Sequence, residues 1–180
     1  EARKHKHLRI TIHFTNQSQL HFIDQRTFGF ITTNPNVIPQ GIDALDPALT
    51  IDKLSTILKS TGRPIKQILL DQNLIAGIGN IYAGEILWEA KIDPAVKGDS
   101  LLQGRTLIQA IRKILFEAIK HGGSTMNDQL YRHVRGEAGG YQKLFKVYDR
   151  EGEACLRCKT KIRKIRQGQR STYFCPGCQK

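Results

Sequence analysis

The sequence predicts an α+β chain in three stretches: antiparallel strands first, helices through the middle, and a metal-stapled hairpin at the end. Three observations carry this. LRITIHF, residues 8–14, alternates apolar and polar at Leu8, Ile10, Ile12 and Phe14, the period of a half-buried strand. From Thr50 onward the apolar residues recur at helical spacing instead. All four cysteines fall within residues 155–178, as two Cys-x2-Cys pairs.

The composition sets the class. With 180 residues the chain holds one large or two small domains. Its 39% hydrophobic and 24% charged content is that of a soluble globular protein. A net charge of +12 predicts a polyanionic partner and says nothing about fold. The candidates are nucleic acid and an anionic membrane surface, and since no apolar run approaches the roughly 18 residues of a spanning helix, a membrane-embedded protein is not expected. The chain opens EARKHKHLRITIHF, without an initiator Met and straight into a strand. We expect it to be a piece of a longer protein.

The elements follow in order. NQSQ, 16–19, signals a turn after the first strand. LHFID, 20–24, and FGFIT, 28–32, read as further strands. Two or three strands do not stand alone, so they must pack on something else. Residues 33–50 carry three of the six prolines and read as a linker. A helix is expected over 52–59, with Leu54, Ile57 and Leu58 inward. Pro64 suits the first turn of the next helix, which carries Ile65, Ile68 and Leu69. Gly77 and Gly79 break the pattern, and Asn80 is placed as N-cap of a helix to about Ala90. The stripe Leu107, Ile111, Ile114, Leu115, Ala118, Ile119 makes a helix over 103–121, stopped by Gly122 and Gly123. Residues 124–142 read as a loop and LFKVYD, 144–149, as a short strand.

The cysteines are Cys155, Cys158, Cys175 and Cys178, sixteen residues separating the pairs. That spacing fits a closed four-thiolate zinc site, one structural ion with no position for water; disulfides and free thiols are the alternatives. Between the outer cysteines lie seven Lys or Arg and no acid. TKIRKI, then Gln167-Gly168-Gln169, then RSTYF reads as a β-hairpin with Arg170 near its tip. Its outward residues are Lys161, Arg163 or Lys164, Arg166 and Arg170, suited to a nucleic-acid backbone or simply to water. The turn before Asn80 is no dinucleotide fingerprint, because Tyr82 stands where a third glycine is required. Its backbone amides offer a phosphate site; a plain helix hairpin is the alternative. Asp71 and Glu85, which flank it, are expected to cap or pair locally. Trp88 is expected in the core, His121 and His133 on the surface. Tyr131 and Tyr141 suit either a base contact or loop packing.

QNLIAGIGNIYAGEILWEAKIDP, 72–94, resembles the helix–two-turn–helix signature of the formamidopyrimidine-DNA glycosylase family, bacterial repair enzymes that excise oxidised purines. The hairpin ending QRSTYFCPGCQ resembles that family's C-terminal zinc finger, and KHKHLRITIHF with DQRTFGF resembles the last strands of its N-terminal β-sandwich. The resemblance covers nearly the whole chain. It implies a β-sandwich remnant over 1–33, a linker over 34–50, a helix–two-turn–helix domain over 51–150 with a lesion-capping loop at 124–142, and the finger over 151–180.

It also implies roles. Asn80 matches the phosphate-binding Asn, and Arg170 the finger Arg that grips phosphates beside the lesion and assists δ-elimination. His5 matches a DNA-contacting His. Arg26 and Phe28 match the Arg facing the orphaned cytosine and the Phe wedged beside it, groups that suit the hole left by a flipped base; strand core is the alternative for Phe28. Lys66, with Arg63, adds backbone contacts. The implied partner is damaged double-stranded DNA, bound by a monomer with no obligate protein partner, in the bacterial cytoplasm at the nucleoid.

The family's N-terminal proline amine, which attacks the sugar and forms a Schiff base, has no counterpart here. The activity implied for the full-length enzyme, glycosylase with AP lyase, is therefore not expected of this chain alone. Asp149 and Gly84 also depart from the family pattern. The competing readings are a non-catalytic zinc-dependent DNA-binding module, an endonuclease VIII-type glycosylase for oxidised pyrimidines, and a zinc ribbon that binds RNA or ribosomes.

Overall fold

The computed structural model describes residues 5–25, 27–126 and 137–180. Its contacts divide the chain into two units, 1–38 and 39–180.

In the first unit, β1 (Leu8–His13) pairs antiparallel with β2 (Gln19–Ile23). Asn16 makes the turn: its side-chain oxygen accepts from the Ser18 N–H at 3.1 Å and from its hydroxyl at 2.6 Å. No described residue of 5–38 is buried. FGFIT, expected as a third strand, forms none. Its first residues are instead bent around Asp24, whose carboxylate accepts from the N–H of Thr27 (2.9 Å) and of Gly29 (2.8 Å). Gly29 is required there, since a Cβ would stand 2.6 Å from the Phe22 ring.

The second unit holds the hydrophobic core. A two-residue strand β3 (Ile42–Asp43) leads to α1 (Ile51–Lys59), capped by the Thr50 hydroxyl on the Lys53 N–H. A single-turn α2 (Ile65–Leu69) follows, then β4 (Ile75–Ala76), parallel to β3. Residues 34–50, read as a linker, thus contribute a strand and the buried Leu49 to this unit. α3 (Asn80–Ala90) and α4 (Gly104–Lys120) pack on each other. α4 buries Leu107, Ile111, Ile114, Leu115 and Ala118, the predicted stripe; Ile119 stays exposed at its edge. Gly122 and Gly123 end it at φ 70° and 77°. The Gly123 N–H reaches the Ala118 carbonyl at 2.8 Å, a Schellman-type stop.

LFKVYD is not a strand. A 3-10 turn over Tyr141–Leu144 opens it, and the N–H groups that a neighbouring strand would have taken go to one carboxylate. Glu85, fully buried on α3, accepts from Lys146 (2.8 Å), Val147 (3.0 Å) and Tyr148 (2.9 Å). β5 (Arg163–Gln167) and β6 (Arg170–Phe174) close the chain as an antiparallel pair. Gln167 pairs with Arg170, so Gly168 and Gln169 form a two-residue turn, with Gly168 at φ 59°.

Candidate nucleic-acid interface and metal centre

The turn between α2 and α3 is shaped from within by Gln72. Its amide nitrogen donates to the carbonyls of Leu70 (3.2 Å) and Ile78 (3.0 Å), and its oxygen accepts from Gly77 N–H (2.9 Å). Gly77 sits at φ 91°, a conformation open to glycine. Gly79 takes the cap position, so Asn80 is the first residue of α3 rather than its cap, and its side chain is free for other partners.

Those partners lie on the hairpin. The Asn80 amide nitrogen donates to the Ser171 carbonyl at 3.2 Å. Its oxygen accepts from the Lys66 ammonium at 2.7 Å. Lys66 is 1% exposed and gives its other two protons to the Ser171 carbonyl (3.0 Å) and the Thr172 hydroxyl (2.8 Å). Lys66 is thus buried at the seam between helix and hairpin, where the sequence had placed it on the DNA backbone. Burial, and after it the Arg170 guanidinium, bring its pKa down to about 8. Arg170, the residue before Ser171, is exposed. Asn80 and Arg170, 90 positions apart by number, therefore flank one seam.

The other candidates are placed as follows. Arg63 is half-exposed and paired with Asp71 at 2.8 Å, which holds that carboxyl below its usual range. Phe28 is 84% exposed, which disposes of the strand-core alternative. His5 is exposed, its ring 5.8 Å from that of His7. Arg26, Tyr131 and His133 lie outside the described residues. Tyr141 is buried against Tyr82 and Phe145, and Trp88 is buried as expected.

The four thiol sulfurs lie within 4.8 Å of one another. Cys155 and Cys178 are 3.7 Å apart, Cys158 and Cys175 3.4 Å, and Cys158 and Cys178 3.1 Å. Zinc–thiolate bonds of about 2.3 Å put tetrahedral sulfurs near 3.8 Å, whereas a disulfide needs about 2.05 Å. The donor set thus fits zinc. Gly177 belongs to this geometry: a Cβ there would stand 2.5 Å from the Thr160 hydroxyl and 3.1 Å from the Cys158 sulfur. That hydroxyl, followed by the Cys178 thiol, pulls Cys158 down to about 6, toward the thiolate a metal requires. The buried Trp88 indole N–H has no nitrogen or oxygen partner and stands against the Cys155 sulfur.

The knuckle is bolted to α3. Arg157 lies over the Trp88 ring, 3.5 Å from its centre, donates to the Trp88 carbonyl, and pairs with the Glu89 carboxylate at 2.9 Å. Gln179, 2% exposed, accepts from Cys175 N–H and donates to the Ile92 carbonyl. Outward, the hairpin presents Lys161, Arg163, Lys164, Arg166 and Arg170, all exposed. Lys164 reaches Glu151 only at 3.9 Å. Among the described residues no helix is long and apolar enough to cross a membrane.

The known proteins match this arrangement. Residues 40–130 fit the formamidopyrimidine-DNA glycosylase H2TH domain, and residues 152–180 the zinc finger found in FPG and IleRS. The formamidopyrimidine-DNA glycosylase of Listeria innocua is 41% identical over 97% of this chain and 67% of its own length. The chain belongs to the formamidopyrimidine-DNA glycosylase family. The Chloroflexus aurantiacus glycosylase is 43% identical over 99% of the chain and 66% of its own. Among solved structures, MutM (Fpg) from Thermus thermophilus superposes with a TM-score of 0.87 at 37% identity, covering 97% of this chain and 69% of that one. Lactococcus lactis Fpg, bound to DNA with an abasic site, superposes at 0.85 and 35% identity, covering 98% and 68%. The chain thus spans about two thirds of the length of the formamidopyrimidine-DNA glycosylases it matches. Glu85, Thr172 and Arg157 were not singled out for these roles from the sequence, because each acts through a partner distant along the chain; Gln72 bonds within six residues of itself, but no local pattern marks it.

Proposed function

We propose that this chain is the DNA-gripping part of a base-excision repair enzyme that removes oxidised purines, 8-oxoguanine and formamidopyrimidines, from duplex DNA. The observation that carries this reading is the seam itself. Asn80 of the turn donates to the Ser171 carbonyl, next to Arg170 on the finger strand, so the turn and the basic hairpin make one phosphate-facing surface. Family relatives held in complex with abasic-site and FAPY-dG DNA support the same substrate.

Residues divide the work by chemistry. Asn80 and Arg170 take phosphates, since an amide N–H and a guanidinium are donors and phosphate oxygens only accept. Exposed Arg63 and the hairpin cations add sequence-independent attraction. Phe28, held out on the Asp24-bracketed turn, fills the gap left by the extruded base; the role of meeting the orphaned cytosine falls to Arg26, and His5 adds a further DNA contact. Zinc, when bound, supplies rigidity, because a two-stranded hairpin is marginal alone. The finger arginine assists δ-elimination in the full enzyme, which acts as glycosylase and AP lyase. The three domains are the β-sandwich remnant 1–33, the helix–two-turn–helix 51–150 and the zinc finger 151–180, with the connecting stretch 34–50 lending β3 and Leu49 to the helical part. The protein works as a monomer at the nucleoid.

Binding and covalent chemistry are read out separately in one experiment. The chain is mixed with duplexes carrying 8-oxoguanine, an abasic site, an oxidised pyrimidine or no lesion, with and without borohydride. We expect retained, lesion-favouring binding and no covalent adduct. An adduct would place an active amine within these residues. Preference for the oxidised pyrimidine would move the protein to the endonuclease VIII-type branch, and equal affinity for intact duplex would leave a non-catalytic binding module.

A further inference from the structure

Lys66 is spent on protein, not on DNA. Its three protons meet three oxygens, Asn80 Oδ1, Ser171 O and Thr172 Oγ1, and among the described residues no carboxylate pairs with it. The charged group that faces it is the Arg170 guanidinium from the hairpin. The Tyr148 hydroxyl hydrogen-bonds the Asn80 side chain from within the same unit; burial raises its pKa, and that bond opposes the rise. A cation buried without an anion beside another cation is costly to maintain. A protein keeps such a group where its charge does something a neutral residue does not.

What the charge does here is orient Asn80. An ammonium has three donors and no acceptor, so only the amide oxygen can face it, and the amide nitrogen is forced toward the hairpin and the outside. A neutral amine has a lone pair. It accepts from an amide N–H as readily as it donates to an amide oxygen, and the Thr172 hydroxyl can turn to donate to it. The amide is then free to flip, presenting its oxygen where a phosphate oxygen must bind. We propose that Lys66 is a protonation-dependent positioning residue: its ammonium locks Asn80 with the amide nitrogen toward the DNA, and DNA binding takes up a proton at Lys66. This rests on the reading of Asn80 and Arg170 as the phosphate site.

The sign follows from the surroundings. In the free protein burial and Arg170 lower Lys66 to about 8. A bound phosphate offsets the Arg170 charge and raises it again. Between those two values the complex holds a proton that the free protein has lost, so affinity falls as pH rises through 8.

The test uses the 180-residue chain with zinc bound and a duplex carrying a tetrahydrofuran abasic analogue. Affinity is measured from pH 7 to 9.5. Calorimetry at pH 8.5 in two buffers of different ionisation enthalpy gives the proton count. We expect affinity to weaken roughly 10- to 30-fold across the range and uptake of roughly 0.7 of a proton per duplex. The chain's own amino terminus titrates in the same range, so variants separate the two. Lys66→Met should bind more weakly at pH 7, with a flat profile and no uptake. Lys66→Arg, charged throughout, should also be flat, and it decides the matter if the Met variant does not fold. Uptake unchanged in either variant, or a flat wild-type profile, overturns the proposal while leaving the DNA-binding reading intact. No binding at any pH overturns both.

Discussion

The molecule contains two antiparallel two-stranded ribbons with opposite circumstances. β5–β6 buries Thr172, Tyr173 and Phe174, is fastened at its base by four cysteines, and is held to α3 through Asn80 and Arg157, to α2 through Lys66, and to Ile92 beyond α3 through Gln179. β1–β2 buries no described residue and leaves Ile10, Ile12, Phe14, Leu20 and Ile23 exposed. Both are built on alternating sequences with a polar turn. A ribbon therefore owes its stability to what it is attached to, and here one ribbon has that support within its own unit.

Removing the metal should erase the difference, and is the largest effect expected. Structural zinc contributes on the order of 10 kcal/mol of folding free energy to such small domains. Stripping it with a chelator should bring amide exchange in 161–174 to the rate seen in 8–23. DNA affinity should fall at least about a hundredfold, with the exchange of α3 and α4 largely kept; unchanged affinity would show that the thiols need no ion.

Next is Glu85→Ala. It leaves three N–H groups, one buried and two half-buried, without an acceptor, at up to about 1–3 kcal/mol each before relaxation, and loosens Tyr148, whose ring packs 5.1 Å from Tyr173 of the hairpin. Thermal unfolding should show a loss of several kcal/mol, only partly restored by Glu85→Gln, whose amide nitrogen cannot accept from the N–H it would face.

Lys66 sharpens the comparison by pH. Folding lowers it to about 8, while an unfolded Lys holds its proton to about 10.4. Between these values the unfolded chain binds more protons, so stability should rise with pH, by up to about 3 kcal/mol. Unfolding midpoints from pH 7.5 to 10 check this, and Lys66→Met should remove the slope. Fold stability and DNA affinity thus respond to the same proton in opposite directions.

Arg157→Ala removes a stacked guanidinium and a partly buried ion pair. About 1–2 kcal/mol is expected, read as faster zinc release to a chromogenic chelator. Smallest of all, Ile12→Thr on the other ribbon should shift the unfolding of the second unit by less than about 0.5 kcal/mol.

Sequence reading reached the parts of this architecture whose signal is local. The cysteine pairs, the Gly77–Gly79 break, the α4 stripe and the Gly168 turn each lie within a few residues of their own cause. Most of what it missed depends on distant partners, with FGFIT and Asn80 as local exceptions. Lys66 sits in a five-residue helix like any solvated cation, and its burial is decided by Ser171 and Thr172, 105 and 106 positions away. LFKVYD has a strand's composition, but Glu85 takes the hydrogen bonds that would have made it one. FGFIT fails as a strand because Asp24 folds its start into a bracket. Asn80 was placed one position early because a capping residue type stood where glycine serves as well.

α3 is gripped at both ends. Its first residue, Asn80, meets the hairpin through Ser171, and its last turn holds Arg157 through Trp88 and Glu89. Over eleven residues at about 1.5 Å each, it acts as a ruler that fixes roughly 15 Å between the phosphate seam and the thiolate knuckle. A ruler of this kind cannot be lengthened by one mark. A single inserted residue would swing one end by about 100° relative to the other, so the two attachments hold α3 to one length.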